Sequence, residues 1–433
     1  RIDGSEIHDY QWIGVNAALE KHRAGKLPIL PPTFITLCAL SRYSDAAAAL
    51  DVPRLGDQHV SDHTLAQHLH RAGDQGAGAA LRTVLHHDLV AAGGVQVPPG
   101  NSRTVDLPVA ELYTRAPLTM PVHIVNGKRA GPTLFVCAAI HGDELNGVEI
   151  IRRLLKLKGL GSLRGCLLAV PIVNVHGFLD LSRYLPDRRD LNRSFPGSGK
   201  GSIAARLAHL FSTEIVQHAD CGIDIHTGAI HRKNLPQIRA NLEDEETLAL
   251  ARAFEVPVLI NANIRDGSLR EYAAERGIPM LLYEAGEALR FDEVGIRAGL
   301  KGVVNVMREL GMLPARRRSK KRIEPVVASG SNWIRASGSG VLRAHVNPGD
   351  RVRRDAVLGV IGDAFGETEF QVKAPFSGLV IGRSMLPLVH EGDALFNIAR
   401  FEDAGEAAET VEEFHADIDP SLMPVSSGEP PVV

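Results

Sequence analysis

The sequence Thr133-Leu-Phe-Val-Cys-Ala-Ala-Ile140 is an almost unbroken apolar run that stops at His141-Gly-Asp-Glu144, and a helical pattern follows from Leu145 to Leu157. A continuous apolar run predicts a strand that is buried on both faces, as in a parallel sheet covered by helices. Ligands of such sheets bind beyond the carboxyl ends of the strands. The sequence therefore predicts an imidazole and a carboxylate at the edge of the sheet where ligands bind.

The alternation of strand and helix continues over residues 105–312. Further apolar runs predict strands at Leu167–Val173, Cys221–His226 and Ile278–Glu284. Further helical patterns lie at Ile203–His218, Asp244–Phe254, Leu269–Arg276 and Val294–Gly311. This order of elements predicts one α/β domain with a mostly parallel sheet sandwiched by helices.

Three other segments have compositions unlike that of the α/β domain. Residues 1–95 are rich in Ala, Leu and His and are predicted to be helix-rich, with no role assigned. Residues 313–332 include the basic run Arg316–Arg322 and are predicted to be a solvated linker. Residues 401–433 are acidic and rich in Pro and Ser, so a disordered tail is expected.

Residues 333–400 contain a weak internal repeat between short β-like runs. Ser339-Gly-Val-Leu342 recurs as Ser377-Gly-Leu-Val380. Two similar halves predict a small all-β barrel-sandwich domain that is similar to the biotinyl/lipoyl-type hammerhead. The hairpin tip of a carrier domain would need a modifiable Lys, which Ile381–Leu386 lacks, so a structural role is expected.

Bulk composition argues against several classes of protein. The net charge of −3 does not favour a nucleic-acid or anionic-membrane partner, and no apolar run reaches the length of a membrane span. The four cysteines form no Cys-x-x-Cys pair, which is typical of cytosolic proteins, so a cytoplasmic location is expected. The chain begins at Arg1 rather than Met, so we expect that its true start is missing.

A third metal ligand is predicted at His226. This residue ends the strand Cys221–His226, so it repeats the position of His141 at a second strand end. Two His and one Glu suit zinc and leave a coordination position open for water. Asp224 lies two residues earlier and faces the same side, so it either orients a ligand or is a buried, hydrogen-bonded carboxylate.

A general acid/base is predicted at Glu284, which ends the strand Ile278–Glu284 at the same sheet edge. The Arg-rich loop Ser182–Gly197 lies between the predicted ligands in the sequence. Guanidinium groups suit bidentate recognition of carboxylates and stabilisation of an oxyanion. A substrate that carries a carboxylate is therefore expected.

Four ordered motifs together resemble one known family. They are His141-Gly-Asp-Glu144, Asp190-Leu-Asn-Arg193, Asp224-Ile-His226-Thr227 and Glu284-Ala-Gly286. Over about residues 105–400 the chain resembles the succinylglutamate desuccinylase/aspartoacylase family, a branch of the zinc carboxypeptidase-like fold. The N-terminal segment has no counterpart in this resemblance.

The resemblance implies roles for single residues. One zinc ion per subunit would be held by His141, Glu144 and His226, and Glu284 would act as general acid/base. Arg183 would polarise the scissile carbonyl of the substrate.

Three further residues would bind the substrate. The resemblance implies that Asn192 and Arg193 hold a carboxylate group and that Arg270 is a further carboxylate-binding arginine.

The expected activity is zinc-dependent hydrolysis of a small N-acyl amino acid, with an acetyl, succinyl or similar acyl group, in amino-acid metabolism. The first alternative is a metallocarboxypeptidase acting on small peptides. His226 follows Glu144 by 82 positions (226 − 144), which favours the deacylase branch. The second alternative is a non-catalytic binding protein that keeps the fold. A homo-oligomer is compatible with either activity.

Overall fold

The computed structural model describes residues 90–262, 265–315 and 323–418. These residues form an α/β fold with one large mixed sheet and helices on both of its faces. The predicted helix-rich segment 1–95 lies outside the described residues apart from its last positions, and so does the whole basic run 316–322. No described helix is long and apolar enough to cross a membrane.

The first part of the described chain contains strands and helices in alternation. Its strands are β1 Val90–Ala92, β2 Val95–Val97, β3 Ser102–Glu111, β4 Pro117–Asn126, β5 Arg129–Ala138, β6 Arg164–Val170, β7 Cys221–Gly228, β8 Arg232–Ala240, β9 Val258–Asn261 and β10 Met280–Glu287. Its α-helices are α1 Asn146–Leu154, α2 Val175–Leu179, α3 Ile203–Glu214, α4 Glu245–Ala253, α5 Leu269–Ala274 and α6 Glu293–Glu309. The four predicted strands correspond to β5, β6, β7 and β10, and the five predicted helices to α1, α3, α4, α5 and α6.

The second part is all-β except for a final helix. Its strands are β11 Val326–Ala328, β12 Gly330–Arg335, β13 Gly340–Ala344, β14 Arg351–Val352, β15 Val357–Gly362, β16 Glu369–Lys373, β17 Gly378–Ser384, β18 Leu388–Val389 and β19 Ala394–Arg400. The helix is α7 Ala404–Ile418.

The large sheet is mixed rather than mostly parallel, which corrects the prediction. Its main path runs β12-β19-β17-β8-β10-β7-β5-β6-β4-β3. Only the central strands β10, β7, β5 and β6 are parallel along this path. Two parallel neighbouring strands must be joined by a crossover connection of a dozen or more residues. The connection from β7 to β8 spans only residues 229–231, so β8 runs in the opposite direction and pairs antiparallel with β10.

Both faces of β5 are buried, which explains its continuous apolar sequence. Leu134 and Val136 belong to the core under α1, α4 and α6. Phe135 and Cys137 alternate with them and belong to the core on the other face, under α3 and α5. A strand covered on both sides has no polar face, so the period-two alternation of a half-exposed strand is absent.

The C-terminal strands are divided between two sheets. Strands β13, β15, β16 and β18 form a separate four-stranded sheet. Strands β12, β17 and β19 extend the large sheet, because β17 pairs antiparallel with β8. Side chains such as Leu358 and Ile361 of β15 share an apolar core with Phe396 and Ile398 of β19. That this segment is a barrel-sandwich domain stays a prediction.

Part of the predicted disordered tail is helical, so that prediction is wrong for residues 404–418. The helix α7 buries Ala407, Val411, Phe414 and Ile418, whose spacing of four, three and four residues places them on one face. The acidic composition of the segment does not reveal this apolar stripe, because the same helix carries the exposed residues Glu406, Glu409, Glu412 and Glu413.

An ion pair network also holds α7. Lys301 of α6 lies 3.2 Å from Glu255 and 2.9 Å from Asp417 of α7, measured from Nζ to the carboxylate oxygens. Lys301 and Glu255 are largely buried, so loss of one partner would leave an uncompensated charge.

We expect Phe414→Ala to lower the free energy of unfolding by about 3 kcal/mol, because it leaves a cavity in the core beneath α7. Phe414 is 1% exposed, whereas Phe365 is 88% exposed, so Phe365→Ala is the matched control and should cost less than about 0.5 kcal/mol. Urea denaturation measures both values. Equal costs for the two variants would show that α7 is not packed on the core.

Candidate active site

Two imidazoles and one carboxylate meet at the carboxyl end of the parallel strands. His141 and Glu144 follow β5, and His226 lies near the end of the neighbouring strand β7. Oε1 of Glu144 lies 2.7 Å from Nδ1 of His141, and Oε2 lies 2.8 Å from Nδ1 of His226. All three side chains are buried and form a group able to hold a metal ion.

Each imidazole contacts a further carboxylate through its other nitrogen. Nε2 of His141 lies 3.2 Å from Oδ1 of Asp190, and Nε2 of His226 lies 2.7 Å from Oδ2 of Asp224. The thiol of Cys137 donates to Oδ1 of Asp224 over 3.4 Å. The tautomer that donates from Nε2 leaves the Nδ1 lone pair of each ring facing Glu144.

This arrangement of lone pairs fits a cation. The two Nδ1 atoms are 3.1 Å apart and both face the Glu144 carboxylate. Neutral rings that donate from Nε2 present only acceptors to one another here, and Nη1 of Arg183 lies 3.2 Å from Nδ1 of His141, so the group suits a positively charged partner. Carboxylates behind the ligating imidazoles are a regular feature of metal sites, because they fix the ring orientation.

The pKa shifts of the two imidazoles and of Glu144 also favour a positive charge in this group. Burial alone would lower the pKa of His226, yet the carboxylates of Asp224 and Glu144 raise it well above its ordinary value. Burial likewise opposes a raised pKa of His141, which Glu144 and Asp190 nevertheless produce. Burial would raise the pKa of Glu144, but the two imidazoles hold it well below its ordinary value. The site is therefore built to hold positive charge beside Glu144.

Glu284 lies in the strand next to His226. In the parallel pairing of β10 with β7, Glu284 is the partner of His226, so both side chains project from the same face of the sheet. The Glu284 carboxylate accepts hydrogen bonds from Asn234, Gln237 and Arg239 of β8. The predicted acid/base thus lies beside the predicted ligands.

Arg183 is in direct contact with the buried group. Its Nη1 donates to Oε1 of Glu144 over 3.3 Å, and its Nη2 donates to Oδ2 of Asp190 over 3.1 Å. The structure therefore brings this predicted residue to the same place as the predicted ligands.

The three predicted substrate-binding residues differ in their burial and contacts. Asn192 is buried, and its Oδ1 accepts from the backbone of Leu269 over 3.0 Å. Arg193 is exposed and donates to the carbonyl of Asn192, and within the described part of the chain no hydrogen bond or ion pair joins it to the His/Glu group. Burial lowers the pKa of Arg270 and the nearby Arg239 lowers it further, whereas the carboxylate of Glu284 raises it, so Arg270 lies close to both charged groups.

Several polar residues around the site are not predicted by the sequence motifs. Asp190 belongs to the motif Asp190-Leu-Asn-Arg193, but only the structure shows its contact with His141. Strand β8 was not predicted, although Gln237-Ile-Arg239-Ala240 alternates polar and apolar residues soon after a turn. That alternation was the available signal for a strand with one polar face.

The fold and the site define an α/β protein with a buried group that could hold a metal ion. Residues 130–310 match the model of the Succinylglutamate desuccinylase/Aspartoacylase catalytic domain. These residues therefore match the catalytic domain of that family, which confirms the resemblance that the four motifs indicated.

Individual relatives agree with this assignment. The N-alpha-acetyl-L-2,4-diaminobutyric acid deacetylase of Halomonas elongata is 25% identical over 292 residues, which are 65% of this chain and 85% of the relative.

Solved structures share the fold. The succinylglutamate desuccinylase/aspartoacylase of Rhodobacter sphaeroides has a TM-score of 0.62 at 23% identity, covering 70% of this chain and 95% of that one. The product-bound ectoine utilization protein EutE of Ruegeria pomeroyi has a TM-score of 0.64 at 23% identity, covering 72% and 99%.

We expect Asp224→Asn to weaken Zn²⁺ binding by about 10- to 100-fold, because the carboxylate that orients His226 is lost. Competition with a chromophoric chelator measures the dissociation constant. Asp355→Asn is the control, because the Asp355 side chain is 80% exposed. Zinc affinity within about threefold of the wild-type value for Asp224→Asn would contradict the role given to this carboxylate.

Proposed function

We propose that the protein is a zinc-dependent hydrolase that removes an acyl group from an N-acyl amino acid or a related small amide with a carboxylate. The observation that carries the proposal is the buried His141, Glu144 and His226 group, with Glu284 in the adjacent strand. The diaminobutyrate deacetylase relative supports an acyl-amino-acid substrate. Acetyl and succinyl groups are the leading acyl candidates.

His141, Glu144 and His226 would hold one zinc ion. Bound zinc would supply a Lewis acid that activates water and polarises the amide carbonyl. Asp190 and Asp224 keep the two imidazoles oriented with Nδ1 inward. The backbone N–H of Thr227 donates to Oε2 of Glu144 over 3.0 Å and fixes that carboxylate as well.

Glu284 would move the proton that the reaction requires. Its carboxylate takes a proton from the attacking water as the oxygen adds to the amide carbon. The C–N bond then breaks, and Glu284 returns the proton to the leaving nitrogen. The products are a free carboxylic acid and an amine, so one water molecule is consumed and Glu284 is restored.

Arg183 would stabilise the negative charge that develops on the carbonyl oxygen. Its side chain is only partly exposed, at 28%, which strengthens its electrostatic effect relative to a guanidinium in open solvent. The contacts with Glu144 and Asp190 hold the guanidinium in place before the substrate arrives. Preorganised donors of this kind contribute strongly to catalysis.

Asn192, Arg193 and Arg270 would bind the carboxylate of the substrate. The contact of Asn192 with Leu269 links the loop of Asn192 to the start of α5, the helix that carries Arg270. Residues 105–312 would then form the catalytic domain, and the β segment 333–400 a barrel-sandwich domain that walls part of the pocket. Cysteine usage supports a cytoplasmic location.

We expect Glu284→Gln to lower kcat by about 1000-fold, because the side-chain amide of Gln cannot take the proton. Zinc content should stay near one equivalent, because residue 284 is not one of the proposed zinc ligands. Glu111→Gln is the control, because the Glu111 side chain is 68% exposed. Metal analysis and steady-state kinetics on the same samples make the comparison. A Glu284→Gln protein with wild-type kcat would rule out this mechanism.

The substrate class is tested by release of free amine from a panel of N-acetyl and N-succinyl amino acids and of dipeptides, each with added zinc. We expect hydrolysis of at least one N-acyl amino acid at a kcat/KM at least about tenfold above that for any dipeptide. Faster cleavage of dipeptides would favour a metallocarboxypeptidase. No turnover of any compound by zinc-loaded protein would favour a binding protein.

A further inference from the structure

We propose that Asn234, Gln237 and Arg239 form a clamp that positions Glu284 for proton transfer. This inference rests on the proposed function, in which Glu284 is the general acid/base. The three residues lie on β8 and act through Glu284, so they are positioning residues rather than catalytic ones.

The hydrogen bonds of the clamp all end on one oxygen. Oε2 of Glu284 accepts from Nδ2 of Asn234 at 3.0 Å, from Nε2 of Gln237 at 3.4 Å and from Nε of Arg239 at 3.1 Å. Within the described part of the chain, no such bond is recorded to Oε1. One carboxylate oxygen is thus fixed by three donors, which together hold the orientation of the carboxylate.

The sheet register aligns the clamp with the metal-binding group. Glu284 pairs with His226 on one side of β10 and with Gln237 on the other side. Side chains of paired residues project from the same face. The clamp and His226 therefore flank Glu284 across two adjacent ladders, which fixes the carboxylate laterally relative to His226.

An irregularity in the ladder brings Asn234 into the clamp. In a regular antiparallel ladder Gly286 would pair with Leu235, two residues before Gln237. The register shifts between Glu284 and Gly286, so Asn234 takes that place. Bulges of this kind often re-aim a side chain next to an active site. The polar Asn234 thereby faces Glu284 instead of the apolar Leu235.

The C-terminal strand β17 leaves room for this arrangement. Gly382 of β17 pairs with Asn234. A side-chain carbon at Gly382 would lie 2.7 Å from Oδ1 of Asn234, which is closer than real contacts allow. A glycine here lets the neighbouring strand approach without displacing the Asn234 amide.

The burial of the clamp argues that its amides are held for Glu284. Gln237 is fully buried, and its Oε1 has no hydrogen-bond partner in the described structure. A buried polar atom without a partner is costly, and an apolar residue would avoid that cost. The amide N–H of Gln237 reaches Glu284, which gives a reason for an amide at this position.

A positioning role and a substrate-binding role for Arg239 differ in their kinetic signatures. Misplacement of a catalytic group by about 1 Å lowers turnover by about 100-fold without weakening substrate binding. Loss of a substrate contact that is equal in ground and transition states raises KM and leaves kcat unchanged. Because Arg239 touches Glu284 directly, the clamp predicts a change in kcat.

The first test compares Gln237→Leu, Arg239→Gln and Arg239→Lys in zinc-loaded protein, with the N-acyl amino acid of the panel that turns over fastest. We expect kcat to fall about 10- to 100-fold for the first two variants, with KM within about threefold and zinc content unchanged. Arg239→Lys keeps the charge and one donor, so its kcat should recover to within about fivefold of wild type. Arg206→Gln, at an exposed position on α3, is the control and should match wild type.

The second test does not depend on turnover. A crystal structure of the zinc-loaded double variant Gln237→Leu/Arg239→Gln should show the Glu284 carboxylate rotated or in several orientations, whereas the wild-type carboxylate has one. An unchanged single orientation would overturn the clamp, even if no panel compound is hydrolysed.

The two proposals fail in distinguishable ways. The clamp is also overturned if kcat stays within twofold of wild type, or if KM rises with kcat unchanged. Failure of the proposed function appears instead as a wild-type protein that hydrolyses no compound of the panel, or as full activity of Glu284→Gln.

Discussion

The structure around the site depends on the Glu144 carboxylate shared between two imidazoles. Its two oxygens lie 2.7 Å and 2.8 Å from Nδ1 of His141 and of His226. A buried carboxylate is tolerated only when it is paired, and each imidazole is in turn held by Asp190 or Asp224. The five side chains therefore form one network in which no member can be removed without leaving a buried polar group unpaired.

Much of this network follows from the sequence, because parallel strands end at the same edge of a sheet. That rule brings His141, Glu144, His226 and Glu284 together from apolar runs alone. Asp224 is buried and contacts Nε2 of His226 at 2.7 Å, which is where a carboxylate could orient that imidazole. The position of Asp190 cannot be predicted from the sequence, because it depends on the fold of a long loop that has no hydrophobic periodicity. The helix α7 was missed because mean composition does not report the position of apolar residues on a helical face.

The C-terminal segment is structurally continuous with the site. Strand β8 carries the clamp and lies between β10, which carries Glu284, and β17 of the C-terminal segment. The internal repeat of residues 333–400 predicts a small barrel-sandwich domain, which stays a prediction. Hydrogen bonding between β17 and β8 joins this segment to the large sheet, and Gly382 leaves space for Asn234. Substitutions in β17 should therefore alter the position of Glu284 through the intervening strand β8.

The proposed function requires one metal ion at the group formed by His141, Glu144 and His226. Anomalous diffraction at the zinc absorption edge, from crystals grown with zinc, tests this requirement. We expect one strong peak per chain, about 2.0–2.2 Å from Nδ1 of His141, Nδ1 of His226 and an oxygen of Glu144. No peak at this place, or a metal ion bound through the Nε2 atoms, would rule out the proposed metal site.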